Sequence, residues 1–370
     1  MAPTLSKPSK PVQVAPKDHS LTNLRTSLTV LTILHHTSIP YGGLGSWAYT
    51  SPLHASASSP TLVAFNAVNH IFFIGTFFYL SGLLTSQSLT RKIQFLSGRW
   101  WRLGVPRAAY SMIAPPAQTL IMSLARGQIV SGARVQETFM QHVKSLRSVR
   151  GPLWFNTTLL TFDTTHSLFR RQFQNLNLSF TFPQAMILDI LANFLTRLVF
   201  PLGRDYTPLS IELGYAPQYI ASYILGTRSS SSLNHLPTKL QRKWLLAASI
   251  SSGLALVGLL HFFPEGYQFT DLHGGMNLLA ASYAIWNETT EFLIVTYLLD
   301  LFKRKDVLRR QWGNLGLYQY AAFLVHPVIL GGVQAGSNRW KVGSEVDEES
   351  GCWWDWSGGE LGRGVVSDEG

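Results

Sequence analysis

The feature that most constrains this chain is a recurrence. From residue 21 to residue 333, apolar runs of about 16 to 25 residues follow one another, with no stretch between them long enough for a soluble domain. A spanning helix needs about 20 largely apolar residues to cross a hydrocarbon core of ~30 Å. The runs occupy residues 21–40, 62–84, 108–125, 151–169, 184–202, 211–226, 243–263, 276–302 and 315–333. They predict an all-α fold, a polytopic transmembrane helical bundle of about nine helices.

Composition agrees with this and narrows the partners. The 370 residues are 46% hydrophobic and 14% charged, a segregated membrane composition, and the partner this implies is the lipid bilayer. The net charge of +10 is scattered through connections and forms no aromatic-basic platform, so it reads as a topology signal and not as nucleic-acid binding. Connections carrying Arg91, Lys92, Arg99, Arg102 and Arg107, and those at residues 228–243 and 303–310, belong on the cytosolic side, as does the N-terminus. Residues 126–150 are basic where alternation places them outside, but long loops obey the charge rule loosely. The single cysteine, Cys352, excludes an internal disulfide and a CxxC metal site. The expected organisation is a disordered cytosolic tail (1–20), one membrane domain (21–334) and a polar, acidic, disordered tail (335–370).

The first run, LTNLRTSLTVLTILHHTSIP, carries an arginine at one end and a histidine pair inside. Eleven helical steps separate Arg25 from His36, about three turns and roughly 16 Å, so both lie on one face while His35 lies on another. If the run spans a bilayer, Arg25 sits near the entry interface and His36 deep in the membrane, where an imidazole signals function.

Beyond this run, the strings RTSLTVLTILHH, FFYLSGLL, RWWRLGVP, GPLWF and YAAFLVHPVIL follow in chain order. Together they resemble the acyltransferase 3 family of multi-pass membrane acyltransferases, over residues 21–330, with the look of fungal members that act on metabolites. The resemblance implies a membrane domain of about ten helices that moves an acyl group, typically acetyl from acetyl-CoA, to a hydroxyl of a carbohydrate or small metabolite. It places the family's helix-one histidine on His36, its arginine on Arg25 and its R-x-x-R pair on Arg99 and Arg102. Members carry a further apolar helix after the His-Pro segment, where this chain has its acidic tail. The chain is therefore expected to be one helix short, with a truncated end that a gene-model or splicing artefact explains.

The chemistry adds its own demands. Acylating an alcohol requires a base for its proton, and neutral imidazole suits that task, which makes His36 the candidate base beside Arg25. Arg99 and Arg102, three apart, are the candidates for binding the acyl-CoA phosphates. Trp154, Glu288 and His326 are candidate substrate-binding residues. Each also has a plain reading: Trp154 as an interface anchor, Glu288 with Glu291 as a helix-end pair, His326 as a buried hydrogen-bonding histidine, and Arg99 and Arg102 as topology signals. His70 stands open between the two readings. No metal is expected, because the adjacent His35 and His36 diverge on a helix and no HExxH, P-loop or Rossmann pattern occurs. A secondary transporter, with intramembrane His and Glu relaying protons, is the rival class, and a catalytically inactive membrane protein is the third.

Overall fold

In a computed structural model of the protein, the described residues are 18–51, 54, 59–88, 92–145, 153–175, 181–207, 210–228, 238–262 and 269–341. They are all-α, and the one departure among them is an isolated bridge between Tyr206 and Ile211. Residues 1–17 and 342–370 lie outside this set, so most of both expected tails, Cys352 included, does too. The C-terminal boundary nevertheless moves. The last helix runs from Leu315 to Lys341, past the break expected at residue 334, and buries Gln334 and Ala335.

The bundle is built around α2 (Pro60–Ser88), whose residues from Ile71 to Gly82 are all buried. Against it pack α1 (Ser20–Ser38), α6 (Leu153–Leu168), α9 (Ala216–Thr227), α10 (Lys239–Phe262) and α11 (Leu278–Arg304). Small residues set the closest approach. A Cβ on Gly82 would stand 2.2 Å from the carbonyl oxygen of Tyr223, and one on Gly226 would stand 2.1 Å from that of Tyr79. α13 (Leu315–Lys341) lies beside α1 and α4 (Val105–Ala125), with Pro115 and Pro116 inside α4 and Pro327 inside α13. α8 (Phe182–Val199) closes the opposite side against α9 and α11. The basic segment after α4 contains a helix, α5 (Gly132–Lys144), whose His142 Nε2 bonds the Ser111 carbonyl oxygen.

Among the described residues, three stretches are long and apolar enough to cross a membrane: Pro60–Ser88, Phe182–Val199 and Leu315–Ser337. Three of the other expected spans fall short for identifiable reasons. α9 has 12 residues, about 18 Å, because Glu212 and Gly214 lie in a turn and Pro217 opens the helix. α1 and α11 are long but polar inside. α1 buries Asn23, Thr26, Thr29 and Thr32, and the three threonine hydroxyls each donate to the carbonyl four residues back. α11 buries Asn287, Glu288, Thr290 and Glu291. α8 shows the same inversion at its clearest: Asp189, Asn193 and Arg197 point inward, while Ile187, Leu188, Leu191, Leu195 and Val199 stay about half exposed or more.

Candidate functional site

Two histidines predicted separately meet. Nδ1 of His36, in the last turn of α1, lies 2.9 Å from Nε2 of His326 on α13. The rings are inclined by 5° with centroids 5.1 Å apart, the arrangement of an in-plane N–H···N bond. His326 Nδ1 lies 2.6 Å from the carbonyl oxygen of Phe323. A carbonyl only accepts, so Nδ1 carries the proton of neutral His326 and its Nε2 is a lone pair. Nδ1 of His36 must then donate, which leaves His36 Nε2 as the bare basic nitrogen. His36 thus sits near the far end of α1, and not midway along it: the 19-residue helix is about 28 Å long, and Ser38 ends it two residues later.

A loop folds over this pair. Gly42, with φ of 101°, ends the turn after α1, and Asn66 on α2 pins the loop by donating to the Leu44 carbonyl while accepting from Ser38 Oγ. The loop brings the Trp47 ring onto His36, with centroids 4.5 Å apart. The indole Nε1 of Trp47 donates to Gln334 Oε1 at 2.9 Å. Neither residue stands out in the sequence, since one lies in a Gly-Ser-Pro loop and the other at the edge of the expected tail. His35 faces elsewhere, as its helical position requires, packing on Phe73 and His70.

At the other end of α1 the expectation divides. Arg25 is within Coulombic reach of Arg99 and has no hydrogen-bond or ion-pair partner among the described residues. Arg99 is already engaged: its Nε lies 3.2 Å from Asp163 Oδ2 and its Nη2 donates to Thr85 Oγ1. Asp163, fully buried, also accepts from Thr85 Oγ1 and the Tyr223 hydroxyl. Arg102 is exposed instead. The shared face expected for Arg99 and Arg102 is therefore not formed, because Trp100–Gly104 is a π-helical turn, which holds more residues per turn and so has a smaller angular step than an α-helix. Trp154 packs against the core of the bundle. It packs half-buried between Phe155 and Tyr219, and Phe155 leads through Phe323 to His326.

Glu288 belongs to a third group. Its Oε1 accepts from Arg197 Nη2 at 3.0 Å and from Asn287 Nδ2 at 2.8 Å, with both charged side chains buried. The Arg197 guanidinium stands over the rings of Tyr215 and Tyr283, and its Nε donates to the Gly214 carbonyl. Asp189 on α8 joins Glu288 and Glu291 on α11, each offering an oxygen within 4.8 Å of the others. Sequence reading paired the two glutamates but missed Asp189 and Arg197, whose helix lies about 90 residues earlier. The His70 ring contacts Tyr215 and so lies between this group and His35. Comparison with family models, with curated proteins and with solved structures finds no match for the chain.

Proposed function

We propose that the protein is a multi-pass integral-membrane O-acyltransferase of the acyltransferase 3 type, with acyl-CoA, in the first instance acetyl-CoA, as donor and a hydroxyl of a carbohydrate or small metabolite as acceptor. The observation that carries the reading is the His36–His326 pair, which leaves one imidazole nitrogen bare on the helix that bears Arg25. In the reaction, His36 Nε2 takes the acceptor's hydroxyl proton as the oxygen attacks the thioester carbonyl. The C–S bond then breaks, the CoA thiolate takes the proton, and an ester and free CoA leave. Arg25 and the exposed Arg102 bind donor phosphates, and Trp154 and His326 line the acceptor side. The inverted polarity of α8 and the buried polar stripe of α1 support a bundle immersed in lipid, and the basic connections at residues 228–243 and 303–310 support a cytosolic N-terminus.

The test is direct. Membranes carrying the native chain, incubated with labelled acetyl-CoA and a panel of hydroxyl acceptors, are expected to form labelled ester, and His36→Ala membranes are not. Equal labelling in both would remove the assignment. A second reading, secondary transport, draws support from the buried Asp189, Arg197, Glu288 and Glu291, since intramembrane ion groups mark transport pathways. Acceptor-independent uptake of a cation into vesicles would favour it.

A further inference from the structure

The charged group around Glu288 is not used in acyl transfer, and its composition is unbalanced. Three carboxyls converge from α8 and α11 with one cation, Arg197, all buried to within a few per cent. With every group ionised the cluster carries two uncompensated negative charges, which a buried environment does not tolerate without a counter-charge.

A separate observation points to what supplies that charge. Asn193 and Asn287 are fully buried, and each uses its amide nitrogen to hold a cluster carboxylate: Asn193 Nδ2 donates to Asp189 Oδ1 and Asn287 Nδ2 to Glu288 Oε1. Planar amide geometry keeps each Oδ1 beside that nitrogen, and both Oδ1 atoms lack a partner. So do Asp189 Oδ2, Glu288 Oε2 and Glu291 Oε2. Buried oxygens of this kind are otherwise nearly always satisfied. We infer that Asp189, Glu288, Glu291, Asn193 and Asn287 form a site for one divalent cation of calcium's size.

The donor set fits that class. All ligands are oxygens, the choice of a hard cation, and carboxylate and amide oxygens together are what calcium takes at about 2.3–2.6 Å. Oxygens on opposite sides of such an ion stand about 4.6–5.2 Å apart, which admits a set lying within 4.8 Å. A charge of +2 balances the excess. Two protons would balance it too, but they link at most two pairs of the five oxygens. The protein also makes room: a Cβ on Gly75 would fall on Glu291 Oε1, which accepts from the Ser222 hydroxyl.

Equilibrium dialysis of the detergent-purified full chain against radiolabelled calcium tests this without any acyl donor, so its outcome is separate from that of acyl transfer. Saturable binding of roughly one ion per chain is expected, resisting sodium, and lost in Asp189→Asn and Glu291→Gln. Asn193→Leu, which keeps all three carboxyls, is expected to weaken it and keeps the comparison open if a carboxyl variant does not fold. Absence of saturable binding to the native chain, or binding unchanged in these variants, overturns the proposal.

Discussion

His36 and His326 stand 290 residues apart in the chain, yet Nδ1 of the first bonds Nε2 of the second at 2.9 Å. The bond fixes more than position, because the Phe323 carbonyl sets the tautomer of His326 and His326 in turn sets that of His36. Acyl transfer in His36→Ala is expected to fall by about 10²- to 10⁴-fold, the usual contribution of a positioned base. His326→Ala should lose less, since the base remains but its tautomer is no longer fixed. His326→Gln, whose amide oxygen can accept from His36 Nδ1, should recover part of that loss. Steady-state rates with labelled acyl-CoA decide it, and a Gln variant no better than Ala argues against the tautomer role.

The arginines separate into two classes. Removing Arg99 leaves Asp163 buried with its ion partner gone, a change that costs roughly 3–5 kcal/mol for a fully buried pair and less here, because the Arg99 side chain is 20% exposed. Arg99→Ala should therefore lower the unfolding temperature, while Arg102→Ala should not. Arg25→Ala and Arg102→Ala should instead weaken CoA binding and reduce its salt dependence. Calorimetric CoA titration and thermal unfolding of the same preparations separate the two effects, and a normal unfolding temperature for Arg99→Ala would show that the Asp163 pair is not structural.

The sequence makes one class of feature visible and hides another. The Arg25 to His36 spacing, the divergence of His35 and the small residues of α2 all follow from position within one helix. Trp47 and Gln334 could not be found that way, because their importance lies in a loop folding over α1 and in a helix extending past its apolar core. Asp163 and Asp189 are single acids within apolar runs, and only the packing reveals that the first faces a partly buried arginine and the second a buried carboxyl cluster. The π-turn at Trp100–Gly104 likewise has no sequence marker, so the sequence alone gives Arg99 and Arg102 the angular relation of an α-helix.

Helix contact at α2 and α9 gives a stability prediction. Gly82→Ala and Gly226→Ala place a methyl within about 2 Å of a backbone carbonyl that has no freedom to move away, an overpacking that typically costs about 1–3 kcal/mol or more. Gly98→Ala, where nothing lies within 4 Å of the new Cβ, should be neutral or slightly stabilising. Thermal unfolding in detergent is the measurement. Native-like unfolding of Gly226→Ala would mean that α9 does not pack against α2 at this distance.

The loop between α8 and α9 supplies a pH dependence with a definite sign. Burial pushes Glu212 up to about 7, nearby Asp205 adds to the rise, and the Gly203 amide hydrogen bond and Arg197 only partly oppose it. An acid whose folded value is raised binds its proton more tightly in the folded chain, so its contribution is favourable below the unfolded value of about 4.5 and declines as pH rises towards 7. His273, against the same loop, is shifted down by burial and acts in the opposite direction, losing stability as pH falls. The native chain alone would therefore show a blend of the two. Comparing it with Glu212→Gln isolates the glutamate: the variant should be relatively more stable at pH 7.5 than at pH 4.5, by an amount on the order of a few °C in unfolding temperature. Parallel curves for the two proteins between those values would show that Glu212 is ionised at its ordinary pKa.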